Sequence, residues 1–115
     1  MSTVSLTLDE IFDLAKKTLL ANGCDDETAS ILSDLIRNAE RDGSLSHGLF
    51  RLPAYVSGLK SGKINGKGKP EVQKVSTSVI KVKGNNCLAP VVLSKGLPEL
   101  AKAAKENGVA VLAIN

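Results

Sequence analysis

The apolar run at residues 109–114, "VAVLAI", constrains the fold of this 115-residue chain more than any other stretch. Every residue in the run is apolar, and a strand without a polar face is normally covered on both sides, as in a parallel sheet that lies between helices. The run therefore predicts a buried strand in a fold of the α/β class.

The residues before this run predict the other parts of such a fold. Apolar and polar residues alternate over residues 71–75 and 78–83, which predicts a β-hairpin across "STS". Residues 89–108 predict a long helix that bends near Pro98 and ends at Gly108. A strand, a helix and a further strand in this order suggest a crossover between parallel strands.

The N-terminal part predicts two antiparallel helices. Thr7 and Glu10 match a capping box, and "ANG" ends this first helix at Gly23. The second helix begins near Asp25, where acidic residues favour the positive end of the helix dipole, and it ends near Gly43. The expected apolar stripes are Leu8, Ile11, Phe12, Ala15 and Leu19 in the first helix and Leu32, Leu35, Ile36 and Ala39 in the second.

The position of the last strand suggests a piece of a larger α/β enzyme. The apolar strand ends one residue before Asn115, with few helices to cover it. We therefore expect residues 1–115 to be the N-terminal, substrate-domain portion of a longer protein, with a helical part at 1–61 and a β-α-β part at 70–115. The cofactor domain would follow residue 115.

Composition narrows the remaining classes. No apolar run approaches the ~20 residues of a membrane-spanning helix, and "MSTVSLTLDE" lacks the features of a secretory signal. Cys24 and Cys87 lie far apart without metal-binding spacing, which indicates free thiols in a reducing cytoplasm and no metal site.

Charge is unevenly distributed, although the formal net charge is only +3. Seven lysines between Lys60 and Lys83 face a single acid, Glu71, and could attract phosphates, as a small basic binding module would. The stretch lacks the arginines and aromatic residues that usually read or stack on bases. A solvated lysine-rich loop is the better interpretation, and we expect no nucleic-acid partner.

The stretch "GSLSHGLFR" contains His47, the only histidine of the chain. If Ser46 caps a third helix that runs to about Lys60, then His47 and Arg51 share one helical face. Pro53 lies in that span, and it either kinks this helix or begins a second one.

Such a face would bind and protonate a small acid. The helix dipole would make the His47 imidazolium a stronger acid, and the Arg51 guanidinium is a planar fork suited to a carboxylate. A molecule with a carboxylate beside a C=O or C=N group would engage both. The alternative is a surface turn in which Ser44 and Ser46 act as turn and cap residues and Arg51 pairs with Asp42.

The loop "SGKINGKGKP" is not interpreted as a nucleotide site. Gly62 is one residue too close to the pair Gly66 and Lys67 for the phosphate-loop pattern, and no Ser or Thr follows. The cofactor-binding residues therefore remain unidentified.

Residues 41–66, "RDGSLSHGLFRLPAYVSGLKSGKING", resemble the signature of the malate/L-lactate dehydrogenase-like family of NAD(P)-dependent oxidoreductases, which lacks a Rossmann fold. The resemblance consists of S-H-G at 46–48, R-x-P-x-Y at 51–55 and G-x-I-N-G at 62–66. The predicted elements follow the family's order over essentially all 115 residues. Within the family, "DGSLSHG" is most similar to the Δ1-piperideine-2-carboxylate/Δ1-pyrroline-2-carboxylate reductases.

The resemblance implies an enzyme that reduces a cyclic 2-imino acid with NADPH or NADH. A malate, L-lactate or ureidoglycolate type of dehydrogenase, acting on a 2-keto acid, is the alternative. It implies His47 as the acid/base residue with Ser46 beside it, and Arg51 at the substrate carboxylate with Ser44 nearby. It also implies a homodimer whose cofactor binds mainly to residues beyond this chain, so that the 115-residue piece alone would be inactive.

Overall fold

The first helix, α1 (Leu8–Ala21), begins at the predicted capping box. In the computed structural model, which describes residues 2–115, Thr7 Oγ1 accepts the Glu10 N–H at 3.1 Å and Glu10 Oε1 accepts the Thr7 N–H at 3.0 Å. At the other end, Gly23 has φ of 102°, a left-handed conformation that glycine adopts without steric cost. Both predicted ends of α1 are confirmed.

The second helix, α2 (Asp26–Arg41), is capped by Asp25, whose side chain accepts the Thr28 N–H at 2.9 Å. It ends at Asp42 and Gly43, and Gly43 has φ of 75°. The helix therefore occupies the range that the sequence predicts.

The two helices are antiparallel. Lys16 in α1 pairs with Asp26 at the start of α2 at 3.1 Å, and Asp9 at the start of α1 pairs with Arg37 near the end of α2 at 3.6 Å. The acid of each pair is mostly exposed, so these ion pairs add little stability. Apolar packing between the helices therefore carries most of the stabilisation.

The buried stripe is narrower than predicted. Ile11, Ala15, Leu19, Leu32 and Ile36 are buried as expected. Leu8 and Leu35, however, are 38% and 41% exposed, and Phe12 and Ala39 are half-buried. Leu8 lies in the first turn of α1, before the buried stripe begins. Leu35 is rotated about 100° around the axis of α2 from the buried Ile36, so it does not face α1.

The predicted third helix from Ser46 to about Lys60 is wrong at its start. The chain instead forms two short 3₁₀ turns, Leu45–His47 and Leu49–Arg51, and α3 covers Leu52–Ser61. Gly48 separates the two turns with ψ of −134°, which interrupts helical geometry. Pro53 lies in the first turn of α3, where its missing N–H removes no hydrogen bond. Pro53 therefore begins a helix instead of kinking one, which is the second of the two predicted alternatives.

The chain divides into two units, and the second, from Lys67 onward, contains the sheet. Strands β1 (Glu71–Lys74) and β2 (Val79–Lys83) form the predicted antiparallel hairpin. Strand β3 (Val111–Ile114) pairs in parallel with β2, giving the order β1-β2-β3, and α4 (Ala89–Asn107) connects them. The strand–helix–strand prediction is confirmed.

Helix α4 packs on the sheet through Gly96. A Cβ at Gly96 would lie 2.9 Å from both Val82 Cγ2 and Leu112 Cδ1, so only glycine allows this close approach. The buried core of this unit consists of Ile80, Val82, Val91, Val92 and Ala103. Pro98 lies inside α4, which continues past it to Asn107 and ends at Gly108, as predicted.

The structure corrects the prediction that the last strand is buried. Val111 and Ile114 are 56% and 46% exposed, and only Leu112 of β3 is half-buried. Strand β3 pairs with β2 along one edge only, and α4 packs on the face that carries Leu112. Val111 and Ala113, on the opposite face of β3, are exposed among residues 2–115.

The two cysteines are free thiols, as predicted. Burial raises the pKa of the Cys24 thiol, and the nearby Asp25 charge raises it further, so this cysteine is an inert part of the core. None of the helices in residues 2–115 combines the length and apolar character needed to span a bilayer.

Ser33 provides a test of the α1–α2 core. Its side chain is fully buried, and within residues 2–115 its Oγ has no hydrogen-bond partner. Because a buried unsatisfied hydroxyl costs about 1 kcal/mol or more, Ser33→Ala should raise the free energy of unfolding by roughly that amount. Urea denaturation measures this. Ser30→Ala, at a half-buried position of the same helix, is the control for helix propensity, and equal gains in the two variants would contradict the burial argument.

The capping box predicts a pH dependence for the first turn of α1. Hydrogen bonds from the Thr7 N–H and from its side chain hold the pKa of Glu10 below its ordinary value of 4.5. This stabilisation is present above pH 4.5 and is lost as the pH falls through the lowered folded value. Thr7→Ala should return the pKa of Glu10 towards 4.5, measured by ¹³C NMR titration of the carboxyl group. Ser5→Ala is the control, and a Glu10 pKa of 4.5 or above in the unaltered chain would exclude the box.

Candidate active site

The predicted site residues lie in the 3₁₀ turns that follow α2. Two hydrogen bonds hold this segment to the last turn of α2. The Ser44 N–H donates to the Ala39 carbonyl oxygen at 2.8 Å, and the Leu49 N–H donates to Glu40 Oε1 at 2.8 Å. His47 lies between these two attachments, so the end of α2 determines its position.

Apolar contacts fix the other side of the segment. Leu49, Leu52 and Tyr55 pack against the buried cluster of Ile11, Ala15 and Ile36 from α1 and α2. Because these anchors face the core, the polar residues of the segment remain outside. Ser46, His47 and Arg51 are all exposed.

Ser46 links the two residues that are predicted to act on the substrate. Its Oγ lies 2.9 Å from His47 Nδ1, and its carbonyl oxygen accepts a hydrogen bond from Arg51 Nε at 3.0 Å. A hydrogen bond at Nδ1 orients the imidazole and selects its tautomer, which presents Nε2 to a ligand. The bond from Arg51 uses one of the five N–H donors of its guanidinium and restrains the rest of the fork.

The structure thus brings His47, Ser46 and Arg51 together, but not by the predicted geometry. His47 ends a three-residue 3₁₀ turn, and Ser46 lies inside that turn instead of capping a helix. The α-helix that follows begins only at Leu52, so the predicted role of a helix dipole at His47 is wrong. His47 and Arg51 are therefore brought together by their contacts with Ser46, and not by lying one turn apart on the same helix.

Ser44 and Asp42 form hydrogen bonds with neighbouring residues of the chain. The Ser44 carbonyl oxygen accepts the His47 N–H at 2.9 Å, and the Ser44 side chain makes no capping hydrogen bond to the turn. The Asp42 carboxylate accepts hydrogen bonds from Arg41 at 2.8 and 3.1 Å, which lower the pKa of Asp42. The alternative ion pair between Asp42 and Arg51 is not the arrangement that the structure has.

Sequence reasoning missed Glu40 and understated Gly48. Glu40 lies nine positions before Leu49, the residue that it binds, and the two are joined only because the chain reverses after α2. Local patterns of three or four residues carry no signal for such a contact. Gly48 enters the sequence prediction only as part of S-H-G, whereas in the structure a Cβ there would lie 2.6 and 2.8 Å from Glu40 Cδ and Cγ.

The loop after α3 packs against the start of α2 through its backbone. The Ile64 N–H donates to the Gly58 carbonyl at 3.1 Å, and the Gly66 carbonyl accepts the Asp25 N–H at 2.9 Å. A Cβ at Gly66 would lie 2.6 Å from the Gly23 carbonyl oxygen. The backbone of this loop therefore binds the start of α2 and is not arranged as a phosphate cradle.

An apolar groove lies near the site without including it. It has a volume of about 850 Å³ and lies between α1 and α3, with Leu14, Leu52, Val56 and Lys60 among its lining residues. The candidate polar residues Ser46, His47 and Arg51 do not line it. Residues 2–115 also contain no group of three His, Cys, Asp or Glu side chains that could hold a metal ion.

Comparison with known proteins places this arrangement in a family. The model of the malate/L-lactate dehydrogenase family matches residues 6–115. This chain belongs to the malate/L-lactate dehydrogenase family. The match includes every candidate site residue and both units of the fold, which confirms the family that the residues 41–66 indicate.

Individual relatives include imine reductases and a hydroxy acid dehydrogenase. A Δ1-pyrroline-2-carboxylate/Δ1-piperideine-2-carboxylate reductase of Pseudomonas syringae pv. tomato is 36% identical over 97% of this chain and 33% of its own length. A malate/(S)-sulfolactate dehydrogenase of Methanothermus fervidus is 38% identical over 93% of this chain and 32% of its own. The chain thus spans about a third of the length of these members of the family.

The fold agrees with solved structures of the family. The crystal structure of the Δ1-piperideine-2-carboxylate reductase from Pseudomonas syringae pv. tomato superposes with a TM-score of 0.93 at 35% identity. The superposition covers 98% of this chain and 34% of that one. The predicted α/β fold class is confirmed, and the chain corresponds to about a third of that structure.

Ser46 can be tested by its effect on the His47 ring. Ser46→Ala removes the hydrogen-bond partner of Nδ1, so the neutral imidazole should change from one dominant tautomer towards the mixture of a free histidine. The ¹⁵N chemical shifts of both ring nitrogens measure this. Ser44→Ala is the matched control, because Ser44 contacts His47 through its backbone. Identical ring shifts in the unaltered chain and Ser46→Ala would contradict the contact.

Proposed function

We propose that the full-length protein containing this chain reduces cyclic 2-imino acids of the Δ1-pyrroline-2-carboxylate and Δ1-piperideine-2-carboxylate type with NADPH or NADH. The observation that carries the proposal is the joint attachment of His47 and Arg51 to Ser46, at 2.9 and 3.0 Å. The names of several relatives, each about a third covered by this chain, support the substrate class.

In this proposal each residue has one task. Arg51 binds the substrate carboxylate through its guanidinium, and Ser44 lies near the bound substrate. His47 is the catalytic acid that donates a proton to the imine nitrogen, while Ser46 orients its ring. NADPH or NADH, when bound, would supply the hydride for the carbon adjacent to that nitrogen, so that C=N would become CH–NH.

The remaining parts of the proposed enzyme lie elsewhere. The backbone of the loop after α3 binds the start of α2, and the sequence does not match a phosphate loop, so we propose that the cofactor binds mainly to a domain beyond residue 115. We further propose a cytoplasmic location, since the two cysteines are free thiols. The resemblance to the family is the basis for proposing a homodimer.

A second candidate has a specific observation behind it. The relative from Methanothermus fervidus, a malate/(S)-sulfolactate dehydrogenase, is 38% identical, as similar as the imine reductases. An arginine that binds a carboxylate and a histidine that exchanges a proton also serve oxidation of a 2-hydroxy acid. The two functions differ in the substrate atom with which His47 exchanges the proton, which is nitrogen in an imine and oxygen in a 2-hydroxy acid.

Steady-state kinetics of the full-length protein tests both candidates. NADPH and NADH oxidation is measured with Δ1-piperideine-2-carboxylate, Δ1-pyrroline-2-carboxylate, oxaloacetate and pyruvate. A larger kcat/KM for the imines supports the first proposal, a larger value for the keto acids supports the second, and no turnover of either class contradicts both.

Two variants then separate the roles of the site residues. His47→Ala should lower kcat by about 10²- to 10⁴-fold, because a general acid is lost. Arg51→Ala should mainly raise KM for the carboxylated substrate. Lys60→Ala, which removes an exposed cation from α3, is the control. Normal kinetics in both site variants would refute the assignment.

A further inference from the structure

The Glu40 side chain of α2 binds the backbone directly after the S-H-G motif of residues 46–48. It lies in the last turn of the helix and is half-buried. Its Oε1 accepts the N–H of Leu49, the residue directly after Ser46, His47 and Gly48, at 2.8 Å. A hydrogen bond to an ionised acceptor is stronger than a neutral one, so this contact is suited to hold a loop.

Gly48 is shaped to receive this side chain. A Cβ at Gly48 would lie 2.6 Å from Glu40 Cδ and 2.8 Å from Cγ, closer than real side chains approach. The glycine of the S-H-G motif thus leaves the space that the Glu40 side chain occupies. Gly48 of the motif and Glu40, eight positions before it, form one packing unit.

The contact fixes one side of the histidine. On its N-terminal side His47 is held by a bond between backbone groups, from the Ser44 N–H to the Ala39 carbonyl, which any sequence could make. On its C-terminal side the corresponding bond requires the Glu40 carboxylate. Loss of that side chain would leave the Leu49 N–H without this partner. It would thereby loosen the 3₁₀ turn Leu49–Arg51, from which Arg51 reaches the Ser46 carbonyl.

We propose that Glu40 is a positioning residue, which sets the location of His47 and Arg51 by holding the Leu49 N–H and filling the space above Gly48. This inference rests on the proposed function. It adds a residue that does not touch substrate but determines where the two groups that do so are placed.

Glu40→Ala and Glu40→Gln test the proposal. Glutamine keeps an acceptor oxygen and nearly the same shape, whereas alanine loses both. In the full-length protein Glu40→Ala should lower kcat about 10- to 100-fold, the scale expected for a small misplacement of reacting groups, and Glu40→Gln should restore it to within about threefold. Asp42→Ala is the control, because the Asp42 carboxylate binds Arg41.

Amide hydrogen exchange at Leu49 reports the contact without reference to activity. In the 115-residue chain, exchange at Leu49 should be faster in Glu40→Ala and close to the original rate in Glu40→Gln, with the His47 ring resonances shifted only in the alanine variant. Gly48→Ala should disturb these resonances less in the Glu40→Ala background, where its methyl group has room. A purely stabilising role would lower Tm without this local pattern.

The outcomes separate this proposal from the proposed function. Unchanged Leu49 exchange and unchanged kcat in Glu40→Ala would overturn the positioning role, and equal losses in the alanine and glutamine variants would replace it with a charge effect. If the unaltered protein reduces neither imines nor keto acids, the proposed function fails, while faster Leu49 exchange in Glu40→Ala still supports the contact.

Discussion

Packing between α1 and α2 is the interaction on which the site depends. Ile11, Ala15 and Ile36 form a buried cluster, and the segment after α2 attaches to it through the three apolar residues Leu49, Leu52 and Tyr55. This attachment has a consequence for chemistry. Because the apolar side chains of the segment are used for packing, its polar ones are turned outward and become available to a ligand. One side of this short segment therefore packs on the core, and the other side carries the exposed candidate site.

Both backbone hydrogen bonds and side-chain contacts build the candidate site. Backbone hydrogen bonds hold Ser44, while side-chain contacts at Ser46 and Glu40 set the orientation of the imidazole and the course of the chain after it. Ser46 has two functions, since its hydroxyl contacts His47 and its carbonyl receives Arg51. Such an arrangement places an imidazole and a guanidinium beside each other without a regular helix.

The second unit depends on close packing between a helix and a sheet. Parallel pairing of β2 and β3 requires a crossover, and α4 supplies it, lying so close to the sheet that only glycine is accepted at position 96. Strand β3 remains apolar although Val111 and Ile114 are exposed within residues 2–115. A strand without a polar face is normally covered on both sides.

The sequence by itself determined the ends of α1, α2 and α4, the hairpin and the parallel order of β2 and β3, and it indicated the family and the residues His47, Ser46 and Arg51. These features depend on caps, turns and alternation within a few residues, which local chemistry decides. Only the tertiary structure decided that the chain forms 3₁₀ turns around Gly48, that Glu40 binds Leu49 and that Leu35 faces outward. Those outcomes depend on which surfaces meet, and the free energy of burial at a contact between distant residues is not encoded in any short stretch.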